Sequence, residues 1–289
     1  MNMPWTLARQ TAREAAKPLE AVELALSDAV GLALASGVRA LASQPTCDTS
    51  AMDGYAVAGS GPWAIVGRVA AGDPVPGVRL AAGEAFGVAT GAPVPDGSDL
   101  VIPVERCSVL GTLVHDSAAG APDPQPGKHI RRRGEDWSAG DELIPAGSLI
   151  SPAVVGLAAG AGHDTVLVHR RPRVAVVVTG DELLHSGPPR PGRVRDAIGP
   201  MLPGLLTGAD LLGTTHLRDD PSALADALTF DQADVLVTCG ATSVGPADHL
   251  RRVLADLQAE ILVSGVACRP GHPMLLAVLP DGRCVVGLP

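Results

Sequence analysis

Five carboxylates in the C-terminal half, Asp181, Glu182, Asp219, Asp220 and Asp248, either follow a strand-like apolar run or open a helix-like one. Oxygen ligands gathered at one sheet edge suit Mg²⁺, a hard cation that often shares them with phosphate. Singly, each is a solvated charge or a helix cap; their common place shifts the balance toward a metal site. Near them runs Gly240-Ala241-Thr242-Ser243-Val244-Gly245. Its small residues let backbone N–H groups approach an anion, and the helix expected near Asp248 adds positive potential at its start. The segment lacks Walker spacing and a lysine, so an ordinary strand-to-helix turn, with Asp248 as N-cap, is at least as good a reading.

Two arginine-bearing segments could meet an oxyanion. Ile130-Arg131-Arg132-Arg133-Gly134-Glu135-Asp136-Trp137 sets three arginines against two acids, and Arg269-Pro270-Gly271-His272-Pro273 puts one guanidinium on a stiff loop. Guanidinium groups bind oxyanions through paired hydrogen bonds. A salt-bridged surface turn is the plainer reading of the first. Asp48-Thr49-Ser50-Ala51-Met52-Asp53-Gly54-Tyr55-Ala56-Val57 combines two carboxylates, hydroxyls, a glycine and the chain's single tyrosine between turn formers. It reads as an exposed loop able to hydrogen-bond a ligand or cap a helix. No Ser-His-Asp or Cys-His set emerges, and His163, His169 and His185 adjoin no nucleophile elbow, which disfavours nucleophilic catalysis.

The elements that must position these groups divide the 289 residues into two or three domains. Leu19, Val22, Leu26, Val30 and Leu34 recur at helical steps, predicting a helix over 18–36. Residues 49–137 alternate short apolar runs, such as 63–66 and 100–104, with Gly/Pro/Asp turns, as a small β-domain does. Residues 119–128 read as a loop, 152–161 as a short apolar helix, and Arg170-Arg171-Pro172 as a linker. Beyond it the rhythm is β-α-β: strands at 174–178, 211–217, 235–238 and 261–266, helices at 222–230 and 248–257. Uninterrupted apolar strands argue a mostly parallel sheet flanked by helices, whose ligands bind at the carboxyl ends of the strands. The predicted fold class is therefore multidomain α/β, comprising a mixed α+β domain (1–48 plus 138–170), a β-rich domain (49–137) and an α/β domain (171–289).

A net charge of −9 argues against nucleic acid or an anionic membrane as partner, because both need a basic face. Cys47, Cys107, Cys239, Cys268 and Cys284 form no zinc-type spacing and read as reduced, mostly buried thiols. No run approaches the ~20 apolar residues of a membrane span, and residues 1–19 hold no signal-peptide core. A soluble cytoplasmic protein is expected.

The ordered motifs resemble those of the MoeA family of molybdopterin molybdenumtransferases. They are Asp48–Val57, Thr90-Gly91-Ala92-Pro93-Val94-Pro95-Asp96-Gly97-Ser98-Asp99, Ile130–Asp136, Thr179–Leu183, Arg218-Asp219-Asp220-Pro221, Gly240–Gly245 with Asp248, Arg269–Pro273 and Gly287-Leu288-Pro289. The resemblance implies a dimer with a β-domain and a molybdopterin-binding α/β domain. It also implies Mg²⁺-dependent insertion of molybdate into adenylylated molybdopterin with release of AMP. Carried over by position, Asp53, Thr90 and Asp136 would line the cleft from the β-domain, with Asp53, Asp136 and Glu182 in catalytic roles. Glu182, Asp220 and Asp248 would hold the metal or the pterin nucleotide, and Ser243, Arg269, His272 and Pro273 would face the oxyanion.

This sequence departs from the family pattern at several of these positions. A Gly-Gly pair becomes Gly240-Ala241, a following acid becomes Pro246, and two lysines become Arg269 and His272. An Asp-Ser-Asn segment is replaced near Arg195-Asp196-Ala197-Ile198. Family members continue past a Gly-Leu-Pro like 287–289 into a C-terminal β-domain that completes the molybdate site, so a fragment or a shortened relative is expected. The alternative to the enzyme is a non-catalytic MoeA-like protein that holds the pterin or serves as a scaffold.

Overall fold

The computed structural model describes residues 2–117, 125–242 and 249–289. The chain forms two compact units, residues 23–166 and residues 1–22 with 167–289. The fold is mixed α/β and rich in strands.

In the first unit the central sheet has six strands, ordered Leu100–Pro103, Gly54–Val57, Glu84–Val88, Trp63–Val69, Leu113–Asp116 and Cys107–Leu110. Alternation along these strands buries two apolar sets, one around Ala56, Phe86, Val88 and Val101, the other around Val57, Trp63, Ile102 and Val114. Gly54 is required by the geometry: a Cβ there would lie 2.0 Å from the Ile102 carbonyl oxygen of the neighbouring strand. A helix, Pro152–Gly160, begins at Ser151, whose hydroxyl accepts from the Val154 N–H, with proline at the first helical position.

The second unit is built on another six-stranded sheet, ordered Asp210–Leu217, Arg173–Thr179, Val235–Cys239, Cys284–Leu288, Leu275–Val278 and Glu260–Ser264. Its first four strands are parallel and its last two antiparallel. Val174, Val176 and Val178 pack with Leu202 on one face, while Val177 packs with Leu224, Leu228 and Leu254 of the helices Pro221–Leu228 and Leu250–Asp256 on the other. Both faces are covered, which is why these strands are apolar throughout. Each fully buried leucine contributes about 1.5–3 kcal/mol.

One expected element is corrected. The helix predicted over 18–36 is absent; the helix lies at Trp5–Ala15, and Ala21–Ala25 is a strand with alternating exposure. Leu26, Val30 and Leu34 match helical spacing by coincidence, since a turn at 26–31 leads into the short strand Ala33–Leu34. The true helix offers few large apolar residues to read: its one buried residue is Ala8, packed with Val263, Val266 and Leu276. The cysteines are free as expected, but only Cys239 is buried and the other four are half-buried.

Candidate functional site

Strand pairing brings three of the motifs together in the first unit. Arg131 pairs with Thr49 and Ile130 with Ser50, while the Ser50 N–H donates to Ala92 O and the Val94 N–H to Asp48 O. The Asp48–Ser50 segment thus lies between the Thr90–Pro95 loop and the arginine-rich turn. Asp53 Oδ1 accepts from the Thr90 N–H at 2.6 Å and from its hydroxyl at 3.0 Å. Those two bonds, the backbone one foremost, hold the exposed Asp53 carboxyl below its usual range. Asp53 also borders a cavity of about 550 Å³ that reaches Arg68 and Val104.

The arginine-rich turn is internally paired. Arg131 donates to both oxygens of Asp136, and Arg132 Nη1 to Asp48 Oδ2 at 2.6 Å. The Arg133 N–H donates to Asp48 Oδ1 at 2.9 Å and the Arg132 N–H to Glu135 at 2.8 Å. Burial works against the Asp48 charge, yet these donors keep its carboxyl below the usual range. Asp136 is therefore occupied by a guanidinium. Among the described residues, only the Arg133 guanidinium in this turn has no carboxylate partner.

In the second unit the remaining motifs share one sheet edge. Thr179 ends its strand opposite Leu217, and Cys239 pairs with Leu288, so Gly180–Glu182, Arg218–Asp220 and Gly240 all leave the carboxyl ends of parallel strands. Leu275, which begins an antiparallel strand, pairs with Gly287 near the end of its neighbour. The Arg269–Pro273 turn just before Leu275 consequently opens on the same edge. Arg269 and His272 are exposed and Pro273 is half-buried there.

The carboxylates at this edge differ in freedom. Asp220 Oδ1 caps the helix Pro221–Leu228, accepting from the Ser222 N–H at 2.8 Å. Asp219 accepts from the Asp181 N–H at 3.2 Å. The exposed Glu182 carboxylate has no hydrogen-bond partner among the described residues. Glu182 and the second oxygen of Asp220 are hard, solvent-reachable oxygen donors, the ligand type that Mg²⁺ takes. Ser243 and Asp248 lie outside the described residues.

Backbone conformation explains the small residues at the strand end. Gly240 has φ +91°, and a Cβ there would meet the Thr179 carbonyl oxygen at 2.6 Å. Ala241 follows with φ +56°, a left-handed conformation that disfavours any side chain.

One cluster had no counterpart in the sequence reading. His185, Asp196 and His216 gather potential ligand atoms within 4.8 Å of one another. Their separations in the chain match no metal motif, so only strand pairing brings them together.

Comparison with known proteins supplies the family. Residues 3–162 match the model of the MoeA N-terminal region (domain I and II), and residues 175–289 match a probable molybdopterin binding domain. A molybdopterin molybdenumtransferase of Nostoc sp. is 33% identical over 90% of this chain and 62% of its own length. Another, from Synechococcus elongatus, is 32% identical over 92% of this chain and 73% of its own. Molybdopterin molybdenumtransferase 2 of Mycobacterium tuberculosis is 36% identical over 87% and 66%. This chain thus spans roughly two thirds of the relatives it matches. A crystal structure of the molybdopterin biosynthesis moeA protein of Pyrococcus horikoshii superposes with TM-score 0.80 at 27% identity, covering all of this chain and 75% of that one.

Proposed function

The chain belongs to the MoeA family, and on that premise we propose that it works in molybdenum cofactor biosynthesis, inserting molybdate into adenylylated molybdopterin with release of AMP. The observation that carries this reading is the shared sheet edge. The loops bearing Glu182, Asp220, Gly240 and Arg269 all open where α/β sheets bind ligands.

Catalysis in this reading is electrostatic positioning, with no covalent intermediate on the protein. Arg269 supplies fixed positive charge for an oxyanion, and Ser243, His272 and Pro273 shape its surroundings. Glu182, Asp220 and Asp248 would hold Mg²⁺, which when bound would offset the negative charge of the phosphates. Their carboxylates would otherwise repel both the nucleotide and molybdate. In the β-rich domain Asp53, fixed by Thr90, takes its catalytic role from a pre-set position, and Asp136 takes its own through the Arg131 guanidinium that it holds. In this reading residues 49–137 form a β-rich domain, 171–289 a molybdopterin-binding-like α/β domain, and 1–48 with 138–170 a mixed N-terminal and linker domain. A cytoplasmic homodimer completes the proposal. No helix among the described residues is long and apolar enough to cross a membrane.

The left-handed Ala241, where the family pattern has glycine, favours one rival: a non-catalytic protein that holds the pterin or a partner. Asp53→Ala and Glu182→Ala separate the two readings. AMP release that falls in both variants while pterin binding persists supports the enzyme. Pterin or partner binding without AMP release in the parent protein supports the rival.

A further inference from the structure

His185, Asp196 and His216 form a ligand set that the reading above does not use. Pairing of the strands Leu183–Leu184 and Val194–Arg195 is parallel, with Leu184 opposite Arg195. The Asp196 N–H then donates to Leu184 O at 3.1 Å, so His185 and Asp196 leave this short ladder side by side. His216 arrives from a third strand, Asp210–Leu217, where it stands opposite Val178 near the carboxyl end.

The contacts among the three are close. His216 Nε2 lies 3.3 Å from Asp196 Oδ2, and the rings of His185 and His216 have centroids 3.9 Å apart at 54°. Asp196 is buried, and its other oxygen accepts from the Gly199 N–H at 2.9 Å. That bond orients the carboxylate as an outer partner orients a metal ligand. Both histidines line two adjoining cavities of about 320 and 240 Å³, which leave room for water on the open side of the cluster.

An ion pair between His216 and Asp196 would explain those two residues but not the second ring. That second ring brings another imidazole nitrogen within 4.8 Å of the other two ligand atoms, a third donor that the pair alone does not use. We propose that His185, Asp196 and His216 bind a divalent transition-metal ion of the Zn²⁺ class, clamping the 183–196 segment to the end of the 210–217 strand. Two imidazoles and one carboxylate favour such an ion over Mg²⁺, which takes oxygen ligands. Zinc bonds of about 2.0–2.2 Å in a tetrahedron place ligand atoms roughly 3.3 Å apart. The His216–Asp196 pair already has that spacing, and rotation of the exposed His185 ring closes the remainder. Glu182 lies three residues before His185, so the clamp would also limit the freedom of that carboxylate. The site stands independently of the molybdate reading.

The test uses the whole chain after chelator treatment. Co²⁺ is titrated in excess Mg²⁺ and followed by its visible absorption, then displaced with Zn²⁺. One saturable equivalent is expected, with affinity at least about tenfold lower in His185→Ala and in His216→Ala and unchanged in His115→Ala. Zn²⁺ should raise the denaturation midpoint of the parent but not of His185→Ala, an exposed change that leaves the buried Asp196 in place. Absence of saturation, a thiolate charge-transfer band, or equal affinity in His185→Ala would each overturn the assignment.

Discussion

Replacing Asp234 with asparagine tests what holds the binding edge in shape. Asp234 immediately precedes the strand Val235–Cys239, and its carboxylate faces two arginines. It accepts from Arg170 at 2.6 and 2.8 Å, from the Arg173 N–H at 2.7 Å, and from the Arg173 guanidinium at 3.3 Å twice. This clamp fixes the starts of two adjacent central strands, whose far ends carry Gly180–Glu182 and Gly240. The Asp234 side chain is 13% exposed and that of Arg170 30%, so solvent weakens the pair without removing it. Hydrogen bonds to charged groups contribute about 1.5–3 kcal/mol each, and exposed pairs under ~1. Asparagine keeps one acceptor but turns an NH₂ group toward a guanidinium. A loss of about 2–3 kcal/mol follows, or a fall in Tm of about 5–10 °C for a unit of this size.

The same variant carries a pH signature. Arg170 above all, against the effect of burial, holds the Asp234 carboxyl well below its usual range. A carboxyl depressed on folding stabilises the protein fully above its unfolded value of ~3.9, and that stabilisation is lost as pH falls through the folded value. Urea unfolding of parent and Asp234→Asn should therefore differ by a constant amount from pH 7 to about 5, then converge below about 4. A difference under about 0.5 kcal/mol at pH 7, or one that stays constant into strong acid, would refute this reasoning.

Other substitutions probe single geometric features. Ala241→Gly removes a left-handed alanine costing about 1–2 kcal/mol and adds glycine's chain entropy of roughly 0.5–1. The denaturation midpoint should rise, and a fall would mean that the methyl group's packing outweighs its strain. Gly54→Ala forces a Cβ against the Ile102 carbonyl and should cost about 3 kcal/mol; unchanged urea unfolding would contradict that close approach. Asp53→Ala removes an exposed carboxylate and its two bonds to Thr90, so its melting temperature should fall slightly while AMP release falls at least about 100-fold. Full activity in Asp53→Ala would remove that residue from the site.

Legibility in the sequence followed the range of the interactions involved. The strand Arg173–Thr179 was readable because an unbroken apolar, β-branched run is a local signal, and the helix Pro221–Leu228 was read near 222–230. The helix Trp5–Ala15 was not, since its one buried residue, Ala8, is small and its larger apolar side chains, Trp5 and Leu7, are exposed. Leu26, Val30 and Leu34 misled for the opposite reason: their spacing is helical, but the intervening turn sets the conformation. At the site, β-α-β order placed the loops of Glu182 and Gly240 at the carboxyl ends of strands, whereas Arg269 lies in the connection between the antiparallel strands Glu260–Ser264 and Leu275–Val278, which that order does not predict. The bond between Thr90 and Asp53 depends on pairing 37 residues apart, which no local pattern encodes. The same holds for His185, Asp196 and His216, which meet through two separate strand registers.

Single-turnover release of AMP from adenylylated molybdopterin, with and without molybdate in the presence of Mg²⁺, tests the central claim most directly. The account predicts AMP release that requires molybdate in the parent protein and is lost in Glu182→Ala. Tight pterin binding with no AMP release, or release indifferent to molybdate, would contradict it.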